Sequence, residues 1–176
     1  DIDVASKVQS EVNSLSTNGA KVIILVSHLQ GVTEELSLLT QVSGVDVVVA
    51  GGGDNLLANP SDKLVPGDYA QGSYPLIGLD KDGSVVPVVT VEGQLKYIGR
   101  LPLNISSSGD VTGWSGGPNR VVDSAIDQFH GMVPDRIAYE TIEKPVSEFV
   151  SGLATSKISN DINFFTWILC SGYFKV

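Results

Sequence analysis

The chain has almost no cysteine, histidine or methionine: one Cys, one Met and two His in 176 residues. A single cysteine, Cys170, excludes an internal disulfide. Its apolar surroundings read as those of a small buried hydrophobe rather than a reactive thiol. Positive charge is scarce as well. Eleven Lys and Arg against 20 Asp and Glu leave a formal net charge of −9. That argues against nucleic acid as a partner, because phosphate neutralisation needs a basic face, and against binding to anionic membrane surfaces. The apolar tail NFFTWILC at 163–170 is far shorter than the roughly 20 residues needed to span a bilayer. No secretory leader is visible, since Asp1 opens directly into a polar helical pattern, as it would in a mature secreted chain. Internal repeats and low-complexity segments are also missing.

What is present is an apolar content of 42% and 19 glycines, which fit a folded domain with a real core. The length favours one domain with at most a small appendage. The expected division is an α/β region at 1–123 and a helical, apolar extension at 124–176.

The organising stretch is 21–55. KVIILVS (21–27) and VDVVVAGG (45–52) are short runs rich in β-branched residues, and such runs suit strands covered on both faces. Between them Leu36, Leu39 and Val42 recur at helical spacing, with Thr33 as the expected N-cap and Gly44 as the expected stop. Strand, helix and strand make a βαβ unit with two parallel strands. Both strands then finish on one sheet edge, where ligands bind in open α/β sheets. Ser27-His28 ends the first strand, and 51–55, Gly-Gly-Gly-Asp-Asn, ends the second.

Around this unit the pattern is simpler. Val4, Val8, Val12 and Leu15 mark an amphipathic helix closed by Asn18-Gly19. The segment 56–83 is rich in Gly, Pro, Asp and Ser and reads as a long surface loop. VVPVVTVE follows as a strand, placed at an edge or bulge by Pro87. KYIGRLPLNIS reads as one further strand with Tyr97, Gly99, Leu101, Leu103 and Ile105 on one side, so an antiparallel meander is expected over 85–111. The segment 120–131 is ambiguous, 143–154 is helical, and 162–176 is dense in aromatics. The predicted fold class is α/β, a mixed sheet with a βαβ unit followed by an antiparallel meander.

Two constellations carry chemistry. The run 51–53 offers backbone N–H groups that can cradle an anion, which makes Gly52, Gly53 and the neighbouring Asn55 candidate substrate-binding positions. Gly113-Trp114-Ser115-Gly116-Gly117 matches Gly-x-Ser-x-Gly, the nucleophile elbow of serine esterases. In that reading Ser115 attacks, His130 takes the proton, and Asp123, Asp127 or Asp135 orients the imidazole. No cofactor is needed there.

VIILVSHLQG (22–31), GVDVVVAGGGDNLLANP (44–60), the Tyr74-Pro75 pair, VPVVTVEGQLKYIGRLPLNI (86–105) and GDVTGWSGGP (109–118) together resemble the second half of the binuclear metallophosphoesterase domain. The likeness is to the 5′-nucleotidase and cyclic-nucleotide phosphodiesterase family, within it to the bacterial, atypical alkaline-phosphatase-like branch. It implies the rear half of a metallophosphoesterase-like sandwich. It also implies a hydrolase of phosphate esters acting on a small-molecule substrate, in a periplasmic or extracellular setting. The family's strand-end Ser-His gives one metal ligand, which falls here on His28. Its Gly-His-x-His gives two more, which fall on Gly52 and Asp54. Gly52 has no side chain to offer, whereas Asp54 can bind Zn²⁺, Mn²⁺ or Ca²⁺ through its carboxylate. The family's other ligands come from upstream Asp-x-His, Gly-Asp and Gly-Asn-His motifs, none of which is in this sequence. The expectation is therefore a phosphomonoesterase-like fragment, incomplete without upstream metal ligands. The alternatives are the serine carboxylesterase above, or a non-catalytic interaction module associating through the apolar tail.

Overall fold

The computed structural model describes residues 3–122 and 131–155. They divide into two units between Met132 and Val133. The first unit opens with α1 (Val4–Thr17), whose N-cap Asp3 accepts a hydrogen bond from the Ser6 N–H. Then come β1 (Ile24–Ser27), α2 (Val32–Leu39) and β2 (Val47–Ala50), with β1 and β2 parallel. The βαβ unit read from the sequence is thus present. Its helix differs in detail. Gly31, not Thr33, is the N-cap, and the helix ends at Leu39 with Thr40 as C-cap, well before Gly44.

Two further strands complete the main sheet: β3 (Leu76–Leu79) and β4 (Val85–Val89). The strand order is β1-β2-β4-β3. β4 runs parallel to β2 and antiparallel to β3, so the sheet is mixed. The expectation for Pro87 is overturned, because β4 is an interior strand. Pro87 lies opposite Ile77 of β3, and the registered pairing with β2 comprises only Val88 and Val89, just past the proline. The missing donor is accommodated at the start of that ladder rather than at a sheet edge. The expected surface loop over 56–83 also needs correction. It contains β3, and Leu56, Leu57 and Ala58 are buried. Asn59 staples the segment, donating to the Tyr74 carbonyl (2.9 Å) and accepting from the Tyr74 N–H (3.3 Å).

Beyond β4, the single strand expected over 96–106 is two: β5 (Tyr97–Arg100) and β6 (Leu103–Ile105), interrupted at Leu101-Pro102. β6 pairs antiparallel with β7 (Val111–Trp114), and β5 with β8 (Gly117–Arg120). The antiparallel pairing expected here is therefore a long two-stranded ribbon broken in the middle.

Side-chain alternation gives the main sheet two unequal faces. Leu25, Val48, Ala50, Val86 and Val88 face the helices and join Val12, Leu38, Leu39 and Val42 in the core. Register places Ile24, Val26, Val49, Ile77, Leu79 and Val85 on the opposite face, and all six are exposed, Val26 by 74%. Of this second face Val47 and Val89 are buried, and with Tyr74, Leu101 and Leu103 they line a cavity of about 330 Å³ beside the ribbon. Among the described residues the second face is therefore covered only in part, whereas composition suggested burial on both faces.

One segment is strained. Gln94 and Leu95, between β4 and β5, have φ of 65° and 57°, the left-handed region that favours glycine. Leu95 is 89% exposed, so burial does little to offset this. Leu95→Gly is expected to stabilise the fold by about 0.5–1 kcal/mol, because relief of roughly 1–2 kcal/mol of strain exceeds the entropy cost of glycine. A urea midpoint that falls would contradict this.

The second unit contains a short helix α3 (Arg136–Ala138), a π-helical turn (Tyr139–Glu143) and α4 (Lys144–Thr155), close to the helix expected over 143–154. Asp135 caps α3 by accepting from the Ala138 N–H at 2.8 Å. No helix among the described residues is long and apolar enough to cross a membrane. The expectations for Cys170 and the aromatic tail lie outside the described residues.

Candidate functional site

The carboxyl ends of β1 and β2 meet as the βαβ unit requires. The Gly51 N–H donates to the Ser27 carbonyl at 2.9 Å. From there the two strand-end loops, 28–31 and 51–55, run backbone against backbone. A Cβ on Gly51 would lie 2.9 Å from the Ser27 carbonyl oxygen, and one on Gly53 would lie 2.8 Å from that of Gln30. At Gly52 (φ 87°) it would collide with the Leu29 carbonyl oxygen and lie 2.7 Å from His28 Nδ1. The glycine run therefore has a packing reason. Only residues without a Cβ let the loops approach this closely.

His28 is exposed and its ring edge lies against Gly52. Asp54 is exposed too, and its Oδ1 lies 3.4 Å from where a Cβ on Gly93 would sit, placing it toward the segment that follows β4. Asn55 has a structural task. Its Oδ1 accepts from the Val32 N–H (3.1 Å), capping α2, and its Nδ2 donates to Gln71 Oε1 (2.9 Å). Negative groups suit this helix start: Glu34 lies in the first turn, and its Oε2 accepts from the Gln30 N–H at 3.0 Å.

Among the described residues no three His, Cys, Asp or Glu side chains gather closely enough to hold a metal ion. A two-metal phosphoesterase clamps ions about 3.5–4 Å apart and needs several ligands on each. One imidazole and one carboxylate, with position 52 closed to any side chain, do not fit such a centre by themselves.

The local backbone around Ser115 does not favour the esterase alternative. A nucleophile elbow needs a strand-to-helix turn, whereas Ser115 lies between two strands, β7 ending at Trp114 and β8 starting at Gly117. Its N–H donates to the Pro102 carbonyl at 3.1 Å, within the ribbon. Asp135 is committed to its helix cap. His130, Asp123 and Asp127 lie outside the described residues.

Sequence reasoning missed Glu35. It is 1% exposed, and its Oε1 accepts from Ser27 Oγ at 2.9 Å. The signal was available: positions 35, 38, 39 and 42 are one helical stripe, and the acid stands in it with Leu38, Leu39 and Val42. It also missed the brace on the loop before β3. Lys96 Nζ bridges Asp68 (2.9 Å) and Glu92 (2.8 Å), while the buried Tyr97 hydroxyl donates to Asp68 Oδ2 (2.7 Å) and accepts from the Val65 N–H (2.7 Å). Tyr97 above all, then Lys96, holds the Asp68 carboxyl below its usual range. Lys96 is raised by its bond to Glu92 first and then by Asp68. Tyr97 is raised by burial and by Asp68.

These shifts set a pH window. The depressed carboxyl contributes stability that is complete above its unfolded value of about 4 and is lost as pH falls through the folded one. The raised Lys and Tyr contribute fully below about pH 10, and that part is lost as pH rises through their folded values. Protection of the Val65 amide against hydrogen exchange should be flat between these limits and fall on both sides. Tyr97→Phe strips two partners at once and should cost about 1–3 kcal/mol in urea unfolding. An unchanged midpoint would show the brace to be idle.

No protein-family model matches the chain. Among individual proteins, snake venom 5′-nucleotidase of Naja atra is 34% identical over 116 residues, 66% of this chain and 21% of that protein. The 5′-nucleotidase of Homo sapiens is 36% identical over 118 residues, again 66% of this chain and 20% of its own length. Among solved structures, a 5′-nucleotidase precursor from Thermus thermophilus superposes with a TM-score of 0.72 at 23% identity, covering 90% of this chain and 29% of that one. NAD nucleotidase of Haemophilus influenzae gives 0.64 at 20%, covering 85% and 35%. The two structures share the fold. The chain spans about a fifth of the length of the curated relatives it matches. Identity of 34–36% across about two thirds of its length, together with the shared fold, makes this chain a homologue of the 5′-nucleotidases.

Proposed function

We propose that the chain is part of a hydrolase of phosphate monoesters of the 5′-nucleotidase type. It contributes His28, with Asp54, to a rim that residues outside this sequence complete. The observation that carries the reading is the 34–36% identity to 5′-nucleotidases, combined with an exposed imidazole at the carboxyl end of a parallel strand. In this reading a divalent ion, Zn²⁺, Mn²⁺ or Ca²⁺, would supply charge stabilisation for a small nucleotide-like ester. The chain's own part is to hold one ligand at a fixed place on the rim. The apolar sheet face left exposed among the described residues supports a further covering layer, since parallel strands are ordinarily covered on both faces. The relatives include a venom protein, and an extracellular or periplasmic location is part of the proposal.

Phosphate release from AMP and from p-nitrophenyl phosphate, with Zn²⁺ or Mn²⁺ added, tests it. The chain alone should show no turnover. The natural polypeptide that carries this sequence should turn over both. His28→Ala should lower its kcat/KM by more than the roughly 10–100-fold that losing a ligand's hydrogen-bond partner costs. Full activity in His28→Ala would end the reading.

A further inference from the structure

We infer that Glu35 is a positioning residue for His28, acting through Ser27 and the loop that joins β1 to α2. This rests on the reading of His28 as functional.

The starting observation is an anomaly in the core. Glu35 is 1% exposed, its Oε1 is engaged by Ser27, and its Oε2 has no hydrogen-bond partner among the described residues. A buried carboxylate with an idle oxygen weakens a fold, and a leucine there would extend the stripe of Leu38, Leu39 and Val42 without that cost. What the acid does hold is the end of β1. Ser27 is the last residue of that strand and precedes His28 directly. Its hydroxyl is tied down to Glu35 at 2.9 Å and its carbonyl is tied across to the Gly51 N–H at 2.9 Å.

The far end of the same loop is held just as firmly. The Gln30 N–H donates to Glu34 Oε2 and the Val32 N–H to Asn55 Oδ1. Consecutive glutamates of α2 therefore grip the two ends of the loop: Glu35 from inside the core, Glu34 from the surface. No hydrogen bond to the His28 ring itself is formed among the described residues. Its place is set by the loop backbone and by Gly52 against its edge. A histidine with no bond of its own depends on the backbone that presents it, and that backbone depends on the Ser27–Glu35 link.

The test uses the full chain and three variants: Glu35→Leu, Glu35→Gln and Ser27→Ala. The readouts are the Hε1–Cε1 NMR cross-peak of His28, assigned with His28→Gln, and the melting temperature. Glu35→Leu is expected to hold or raise the melting temperature while displacing or splitting the His28 peak. Ser27→Ala, which removes one hydroxyl, should move the peak in the same way. Glu35→Gln keeps an acceptor for Ser27 and should leave the peak in place. A residue that merely supported the fold would lower the melting temperature. An idle buried acid would raise it with the peak unmoved in both Glu35→Leu and Ser27→Ala, and that result overturns the inference. Should Glu35→Leu fail to fold, the Ser27→Ala peak decides alone. His28→Ala in the natural polypeptide, read as phosphate release from AMP, addresses the ligand reading separately. Full activity there ends that reading and leaves the positioning result standing.

Discussion

Gly52→Ala is expected to destabilise the first unit by about 2–6 kcal/mol and to displace His28. Two costs combine. A residue with a Cβ at φ 87° carries backbone strain of roughly 1–3 kcal/mol. The added methyl then meets the Leu29 carbonyl oxygen and lies 2.7 Å from His28 Nδ1 and 3.0 Å from its Cε1, an overpacking of about 1–3 kcal/mol. The neighbours cannot yield cheaply. Leu29 belongs to a loop pinned at Ser27 and Gln30, so the imidazole is the softest atom group in the contact. Gly67→Ala is the control: its φ is 97°, but a Cβ there meets nothing within 4 Å, so it should show the strain alone. If Gly52→Ala costs no more than Gly67→Ala, the steric part of the argument fails. The same geometry says that this loop, as it stands, admits no ligating side chain at position 52. The 5′-nucleotidase-like pattern and this chain part company there.

That point also marks how far the residues could be read in advance. The βαβ unit was legible because Val and Ile runs of strand length flank a helical stripe, and parallel pairing follows from a short crossover. His28 was legible because strand ends converge whatever the loops do. Asp54 was legible only as a position. Its direction, toward Gly93, is set by how the glycine run packs on 28–31, and no periodicity encodes that. β3 was hidden because Leu-Ile-Gly-Leu is short, carries a glycine and follows a run of turn residues. What makes it a strand is tertiary, since Gly78 leaves the room that Leu39 fills. Pro87 misled because the rule about missing donors concerns the individual ladder, and β4 begins its parallel ladder one residue later. Glu35 was passed over because the stripe was phased on Leu36, which is only partly buried, rather than on Leu38.

The sheet faces show the same limit from the other side. Composition alone suggests burial on both faces, yet Val26 and Ile77 are open while Val48 and Val88 are closed. Alternating strands encode that two faces exist and that both are apolar. They do not encode whether the covering layer for the second face lies in the same 176 residues.

Leu39→Ala is expected to cost about 2–5 kcal/mol, as full truncation of a buried leucine does when the site cannot collapse. Leu39 is 0% exposed, and its Cδ1 lies 2.6 Å from where a Cβ on Gly78 would sit. Helix and strand therefore share one space, filled from the helix side. Gly78→Ala alone overfills it and should cost about 1–3 kcal/mol. With Leu39→Ala in place, the same methyl enters a void. The double variant should then be milder than the two single costs added together, with a coupling of about 0.5–3 kcal/mol in urea unfolding. Strict additivity would mean that Leu39 and Gly78 do not share that volume and that β3 is held by its ladder to β4 alone. The coupling bears on the rim as well. Leu39 sits one turn beyond Glu35 on α2, so the depth at which it seats against β3 fixes how α2 lies on the sheet. That in turn fixes where Glu34 and Glu35 can reach the loop that carries His28.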